Sequence, residues 1–319
     1  MRDFYISEQN YLTDMKEKVL PFINSFRIEG VFKGYDDKDI HFVKYIIENP
    51  TASVIISHGF TESSEKWHEL TYYFLKSGFN VYIIDHRGHG LSYREVKDLT
   101  LTHVNDFDEY IEDFEIFCDY VGKEERGDIY LFAHSMGGAI GALFMEKNPC
   151  YFKKAVLSSP MIAPSSGNVP YFLGKFILGS ACVFGQRKKR AFTSKPYTGE
   201  EKFEDSCKTS KVRFEEYEAL KRATPYLQNS CMTYGWGLEA VKVKNKILKE
   251  GEPEKITTKL KIASAELDDV VLNKPQFEFV SRVKDAEIRT FSGAKHEIYG
   301  SKDEVAFPYF DYILNFFEE

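Results

Sequence analysis

Ser135 is the residue around which chemistry is most plainly written in this sequence. It lies in Leu131-Phe132-Ala133-His134-Ser135-Met136-Gly137-Gly138, between the apolar run Asp128-Ile129-Tyr130 and the small, helix-compatible run Ala139-Ile140-Gly141-Ala142-Leu143. A strand, a tight turn and a helix follow one another there, with the serine at the apex. Such a turn forces its apical residue into a sparsely allowed backbone conformation, and small neighbours two positions away let strand and helix approach. Gly137 and Gly138 give that room on the helix side and Ala133 on the strand side. The usual pattern carries glycine at the first of these positions, and alanine is the smallest departure from it.

A serine hydroxyl is a weak nucleophile at neutral pH and needs an imidazole within hydrogen-bond reach to take its proton. His296 answers to that need, in Ser292-Gly293-Ala294-Lys295-His296-Glu297 just after the strand-like run Ala286 to Phe291. A carboxylate on the other ring nitrogen would fix the tautomer and stabilise the imidazolium. Asp268 and Asp269 both offer one, in the loop after the run Leu260 to Ser264. A tetrahedral intermediate also needs donors aimed at its oxyanion. The amide of Met136, next to the nucleophile, is one. The loop after the strand-like run Ser53 to Ser57 supplies the other at Phe60, with Gly59 permitting close backbone approach and His58 ordering the loop. All these groups follow strands, where sites of open α/β sheets gather.

Asp85-His86-Arg87-Gly88-His89-Gly90-Leu91-Ser92 follows a further strand. Its histidines, with His58 and His134, raise the question of a metal. No carboxylate or cysteine set accompanies them at metal-site spacing, so the expectation is a glycine-turned loop in which Asp85 and Arg87 make internal bonds, with no metal and no cofactor.

The elements that must hold these groups are legible from periodicity. Phe26 to Phe32 and Ile40 to Ile47 alternate about a polar turn and predict an antiparallel hairpin. Strand runs at 53–57, 81–84, 128–132 and 154–158 then alternate with helical text, of which Asp106 to Val121 has one apolar face. That pattern implies an α/β fold, a mostly parallel sheet with helices on both faces. The alternation stops near Pro160 and resumes at Leu260, and the chain closes with an aromatic helix from about Asp303 to Phe317. The expected organisation is a core in two parts, 1–160 and 241–319, interrupted by a helical cap over 161–240.

The chain has 319 residues, 43% hydrophobic and 29% charged, and a formal charge of -7, which argues against a nucleic-acid partner. Five scattered cysteines without a CxxC pair suit a reducing compartment. The first thirty residues lack an apolar core of the secretory type, and the longest apolar stretch, Tyr171 to Phe184, is too short to span a bilayer. A cytoplasmic protein, peripheral at most to the inner membrane face, is expected.

Ser57-His58-Gly59-Phe60, Asp85-x-Arg87-Gly88-x-Gly90-x-Ser92, His134-Ser135-Met136-Gly137-Gly138, Asp268-x-Val270-Val271 and His296-Glu297 together resemble the serine-aminopeptidase-like α/β-hydrolases, the group that includes monoacylglycerol lipases and bacterial lysophospholipases. Their order of serine, acid and histidine is the same. Thr209-Ser210-x-x-Arg213-Phe214 and Tyr234-Gly235-Trp236-Gly237-Leu238-Glu239-Ala240 resemble the lysophospholipase branch. The resemblance implies an α/β-hydrolase fold with a helical cap, Asp268 as the acid, and hydrolysis of a lipid ester through an acyl-Ser135 intermediate. A lysophospholipase is the expectation, with monoacylglycerol lipase or general carboxylesterase as alternatives and a non-catalytic protein of the same fold as the contrasting class. A peptidase would need an acidic anchor for a free amine, and no dedicated acidic cluster is visible in the cap. Tyr171 to Ser180 would wall an acyl chain, and Arg187-Lys188-Lys189-Arg190 beside it would suit transient contact with an anionic membrane surface. The oligomeric state is not legible.

Overall fold

The computed structural model describes residues 2–167, 169–192 and 194–319. Among the described residues ten strands are formed: β1 (Arg27–Lys33), β2 (Asp39–Tyr45), β3 (Ala52–Ser57), β4 (Phe79–Ile84), β5 (Leu101–Thr102), β6 (Ile129–His134), β7 (Lys154–Ser158), β8 (Cys231–Met232), β9 (Lys259–Ala265) and β10 (Ala286–Phe291). Eight make one sheet in the order β1-β2-β4-β3-β6-β7-β9-β10, and β5 and β8 pair separately. Pairings β1 with β2 and β2 with β4 are antiparallel, and every later neighbour is parallel. The hairpin and the parallel run stand where the alternation predicts them.

The helices are α1 (Tyr11–Asp14), α2 (Leu20–Asn24), α3 (His68–Lys76), α4 (Asp108–Glu124), α5 (Met136–Lys147), α6 (Tyr171–Ala181), α7 (Lys211–Ala223), α8 (Tyr234–Ile247), α9 (Asn273–Val280) and α10 (Asp303–Glu318). Alternate residues of the central strands feed two cores. Ile55, Leu131 and Leu157 pack with α4, α5 and α9 on one face. Ile56, Phe132 and Val156 pack with the amino-terminal helices, α3 and α10 on the other. Burial on both faces explains why these strands read as continuous apolar runs.

The chain leaves the sheet after β7 and rejoins it at β9, and α6, α7 and α8 lie between. Val243 and Ile247 in the second half of α8 are fully buried in the α4–α5 core. The second half of the helix thus belongs to the core. Arg213 of α7 is almost wholly buried. It donates to both Glu69 oxygens at 3.2 Å, to Asp303 and the Ser301 carbonyl at 3.0 Å, and to the Ile6 carbonyl at 3.3 Å. A guanidinium is the one side chain with enough fixed donors to hold three segments at once. Arg213 of the lysophospholipase-like motif therefore bolts α7 to the core and to the amino-terminal segment. By contrast α6 buries no residue completely.

Candidate active site

The β6–α5 junction carries Ser135 at φ 52°, ψ -115°, a conformation L-residues avoid. The turn is held by the Ser135 amide donating to Ser158 O at 3.0 Å and by Met161 N donating to Ser135 O at 2.9 Å. Gly137 is obligatory there, because a Cβ would come within 2.1 Å of the Ser57 carbonyl oxygen. Gly138 is as tight against Pro160, whose Cβ would lie at 2.7 Å. Ala133 is fully buried, with its Cβ in ordinary contact range of position 141.

The structure brings Ser135, His296 and Asp268 together. Ser135 Oγ and His296 Nε2 are 2.8 Å apart, and His296 Nδ1 lies 2.8 Å from Asp268 Oδ2. The carboxylate accepts from Nδ1–H, which places the lone pair on Nε2, facing the hydroxyl. Asp268 has no exposed side-chain surface, and its Oδ1 accepts from the amides of Val270 at 2.9 Å and Val271 at 3.0 Å. Those two amides turn the other oxygen to the ring. Asp269 is exposed and stands outside this set.

The amide of Phe60 donates to no protein group among the described residues. That of Met136 heads α5, where helical acceptors are lacking. The His58 ring accepts from His86 N–H at Nε2, 2.9 Å away, and its Nδ1–H donates to the Gly59 carbonyl at 2.7 Å. Burial holds the imidazole pKa values of His58, His86 and His89 below the ordinary range. His86 Nε2 bonds Ser57 Oγ at 2.8 Å and His89 Nδ1 bonds the Arg87 carbonyl at 3.0 Å. Asp85 accepts from Ser64 N and Leu91 N, and Arg87 forks onto Asp113 at 2.6 and 2.9 Å. The histidines are thus spent on ordering loops. No group of three His, Cys, Asp or Glu among the described residues is placed to hold a metal.

An apolar cavity of about 300 Å³ is lined by residues between Pro164 and Val241. Tyr171, Gly174, Ile177 and Leu178 of α6 line it together with Trp236, whose ring lies 4.0 Å from that of Phe60. Only one face of α6 lines this cavity, and Phe172 and Phe176 on the helix are 76% and 70% exposed. The basic run also differs from expectation. Arg187 pairs with Glu239, Lys188 with Glu95 and Arg190 with Asp98, so three of its four cations are engaged by carboxylates. These partners are remote in sequence, and no local pattern announces them.

A second, polar cavity of about 190 Å³ is lined by Lys66, Lys208, Lys221, Glu201, Glu218 and Glu297 among others. Folding therefore gathers Glu201, Asp205, Glu218 and Glu297 about one cavity, which the sequence, with these residues scattered, does not display. They are matched by lysines, as in the 2.5 Å pair of Lys221 with Glu201. Sequence reasoning also passes over Glu62, whose buried carboxylate joins the Phe60 loop to Lys66 and Tyr299. The four-residue spacing of Glu62 and Lys66 is the one signal that could have found it.

Residues 48–303 match the family model described as serine aminopeptidase, S33. The chain belongs to this family. It is a serine hydrolase and an ester hydrolase of the α/β-hydrolase fold. It is 29% identical over 310 residues to lysophospholipase L2 of Escherichia coli strain K12, covering 91% of this chain and 87% of that protein. Over 150 residues it is 28% identical to the monoacylglycerol lipase of Mycolicibacterium smegmatis, 46% of this chain and 52% of that one. In fold it resembles a soluble variant of Saccharomyces cerevisiae monoglyceride lipase (TM-score 0.72, 18% identity, 91% of this chain and 94% of that one). A Bacillus coagulans carboxyl esterase in complex with glycerol is as similar (TM-score 0.73, 17% identity, 92% and 98%).

Proposed function

We propose that the protein hydrolyses the acyl ester of a lysophospholipid, with Ser135, His296 and Asp268 as nucleophile, base and acid and the amides of Phe60 and Met136 as the oxyanion hole. The observation that carries this is the continuous relay of two 2.8 Å hydrogen bonds, Asp268 to His296 to Ser135. Ser135 Oγ attacks the ester carbonyl as its proton passes to His296 Nε2. The tetrahedral oxyanion is met by the two amides. Its collapse breaks the ester C–O bond, and the imidazolium returns the proton to the departing alcohol. Water, deprotonated by the same nitrogen, then releases the fatty acid and restores the serine.

The likeness to lysophospholipase L2 along most of the chain supports the phospholipid substrate over monoacylglycerol. Fatty-acid release from lysophosphatidylcholine, monoacylglycerol and a short p-nitrophenyl ester tests it, with phosphonate-blocked enzyme as background. Faster turnover of the lysophospholipid is the expected result. Preference for monoacylglycerol or for the short ester alone would reassign the substrate.

The apolar cavity is assigned to the acyl chain within a cap spanning 161–240. Gly174 faces it with open space at its Cβ, the nearest atom being Val169 Cγ1 at 4.0 Å. Gly174→Phe should therefore reduce turnover of a long-chain ester by about tenfold or more while leaving a two-carbon ester within about twofold. Equal loss on both esters would remove the assignment.

We further assign the outer face of α6 and the turn after it to membrane contact. Phe172, Phe176, Val183 and Phe184 are 70 to 83% exposed there, more apolar surface than solvent alone accounts for. No described helix is long and apolar enough to cross a membrane. Five unbonded cysteines support a cytoplasmic, peripheral location. With three cations of the basic run engaged, contact should be mainly apolar. Flotation with neutral phosphatidylcholine vesicles should recover the protein, and Phe172→Ser with Phe176→Ser should cut recovery about tenfold or more. Binding confined to anionic vesicles would oppose it.

A further inference from the structure

Outside the relay, one buried carboxylate joins several loops of the site. Glu62 has a side chain 2% exposed. Its Oε2 accepts from the Gly59 amide at 2.6 Å, and its Oε1 accepts from the Tyr299 hydroxyl at 2.9 Å and lies 3.0 Å from Lys66 Nζ. Lys66 continues to Glu297, the residue after His296, at 2.7 Å. His134 Nδ1 is also 3.1 Å from Oε1, though out of line for a hydrogen bond. Burial pushes the Glu62 carboxyl up, but His134 and Lys66 outweigh it and hold it well below the usual range, so it stays ionised.

Two successive peptide groups are held here: His58–Gly59 at its N–H by the Glu62 carboxylate, and Gly59–Phe60 at its oxygen by the His58 ring and the Glu62 main chain. The Gly59 carbonyl accepts from His58 Nδ1–H at 2.7 Å and from the Glu62 amide at 3.3 Å. A trans peptide is planar, and its C=O and N–H point in opposite directions. Fixing the Gly59 oxygen therefore aims the Phe60 N–H the other way, where no protein acceptor among the described residues meets it. The carboxylate clamps the preceding peptide through Gly59 N–H with a charge-assisted bond, roughly twice as strong as a neutral one.

We infer that Glu62 is a positioning residue for the oxyanion hole: its carboxylate, steadied by Lys66 and Tyr299, sets the Gly59–Phe60 peptide whose N–H meets the tetrahedral intermediate. The inference rests on Phe60 being an oxyanion donor. Loss of such a donor outright lowers kcat by about 10²–10³. A mis-aimed one costs less.

The test is Glu62→Gln, which keeps the shape and leaves Lys66 its bond to Glu297. Active serines are counted by fluorophosphonate titration. Expected are a kcat per titrated serine about 10- to 100-fold lower, a KM within about threefold, and a matching loss of affinity for an alkyl boronic acid, whose serine adduct is tetrahedral. Tyr299→Phe, a milder change that removes one support of Oε1, should lower kcat about three- to tenfold with the same unchanged KM. A merely structural role would reduce the titrated fraction and leave kcat per site within threefold, which overturns the inference, as does KM rising in step with the loss. If Ser135→Ala retained parental activity, the catalytic assignment itself would fail. A silent Ser135→Ala beside a parental Glu62→Gln would sink the positioning role alone.

Discussion

Ser135→Ala should lower hydrolysis of a long-chain ester by at least about 10⁴-fold and abolish fluorophosphonate labelling, with little change in melting temperature. The size of the effect follows from the mechanism proposed above. Without the hydroxyl no acyl-enzyme forms, and His296 and the oxyanion amides can act only on water. The fold should not notice. Among the described residues Ser135 Oγ bonds only His296, and the turn is held by the backbone of residue 135, through Ser158 O and Met161 N. Alanine meets the same φ of 52° that serine does. Release of fatty acid, followed with purified parent and variant at equal concentration, checks this. A residual rate above about one per cent would mean that another group delivers the nucleophile.

The elements that hold this site were readable because each is a local pattern with a steric or burial cause. The β6–α5 elbow was written as small residues around a serine, and Gly137 is small because the Ser57 carbonyl occupies the space of its Cβ. The parallel strands were continuous apolar runs because both faces are covered. Where the local pattern weakens, reading fails. Residues 11–24 do form helix, but in pieces, with a π-turn over Met15–Val19 and Pro21 beyond it, and no single periodic face was visible.

Long-range charge pairing was not legible at all. Arg187-Lys188-Lys189-Arg190 reads as a solvated or lipid-facing cluster, yet its partners Glu95, Asp98 and Glu239 arrive from two other segments. Glu62 poses the same difficulty. Its spacing from Lys66 is a local hint, but only the fold brings Tyr299, and through Lys66 also Glu297, to the same carboxylate. Arg213 was singled out by a motif, but what it holds became apparent only with Glu69, Ile6 and Asp303 around it. Patterns of size and hydropathy are local, whereas the neutralisation of a buried charge is settled between distant residues.

Adjacent Asp268 and Asp269 give the sharpest contrast that physics draws within the site. Asp268→Asn should lower kcat/KM by about 10³–10⁴-fold, and Asp269→Asn should leave it within about twofold. An asparagine at 268 can still accept the Val270 and Val271 amides at one atom, so the loop should persist. Its remaining group facing His296 Nδ1 would then be an NH₂, a donor where an acceptor is needed. The ring would meet it best with a bare Nδ1 and its proton on Nε2, the tautomer that cannot take the proton of Ser135. No negative charge would remain to stabilise the imidazolium. Asp269 has neither this contact nor this burial, and its loss removes only an exposed charge. Steady-state rates for the two variants, read beside their melting curves, separate the roles. Comparable losses in both would mean that the loop works as a unit, and a large loss in Asp269→Asn alone would move the acid to position 269.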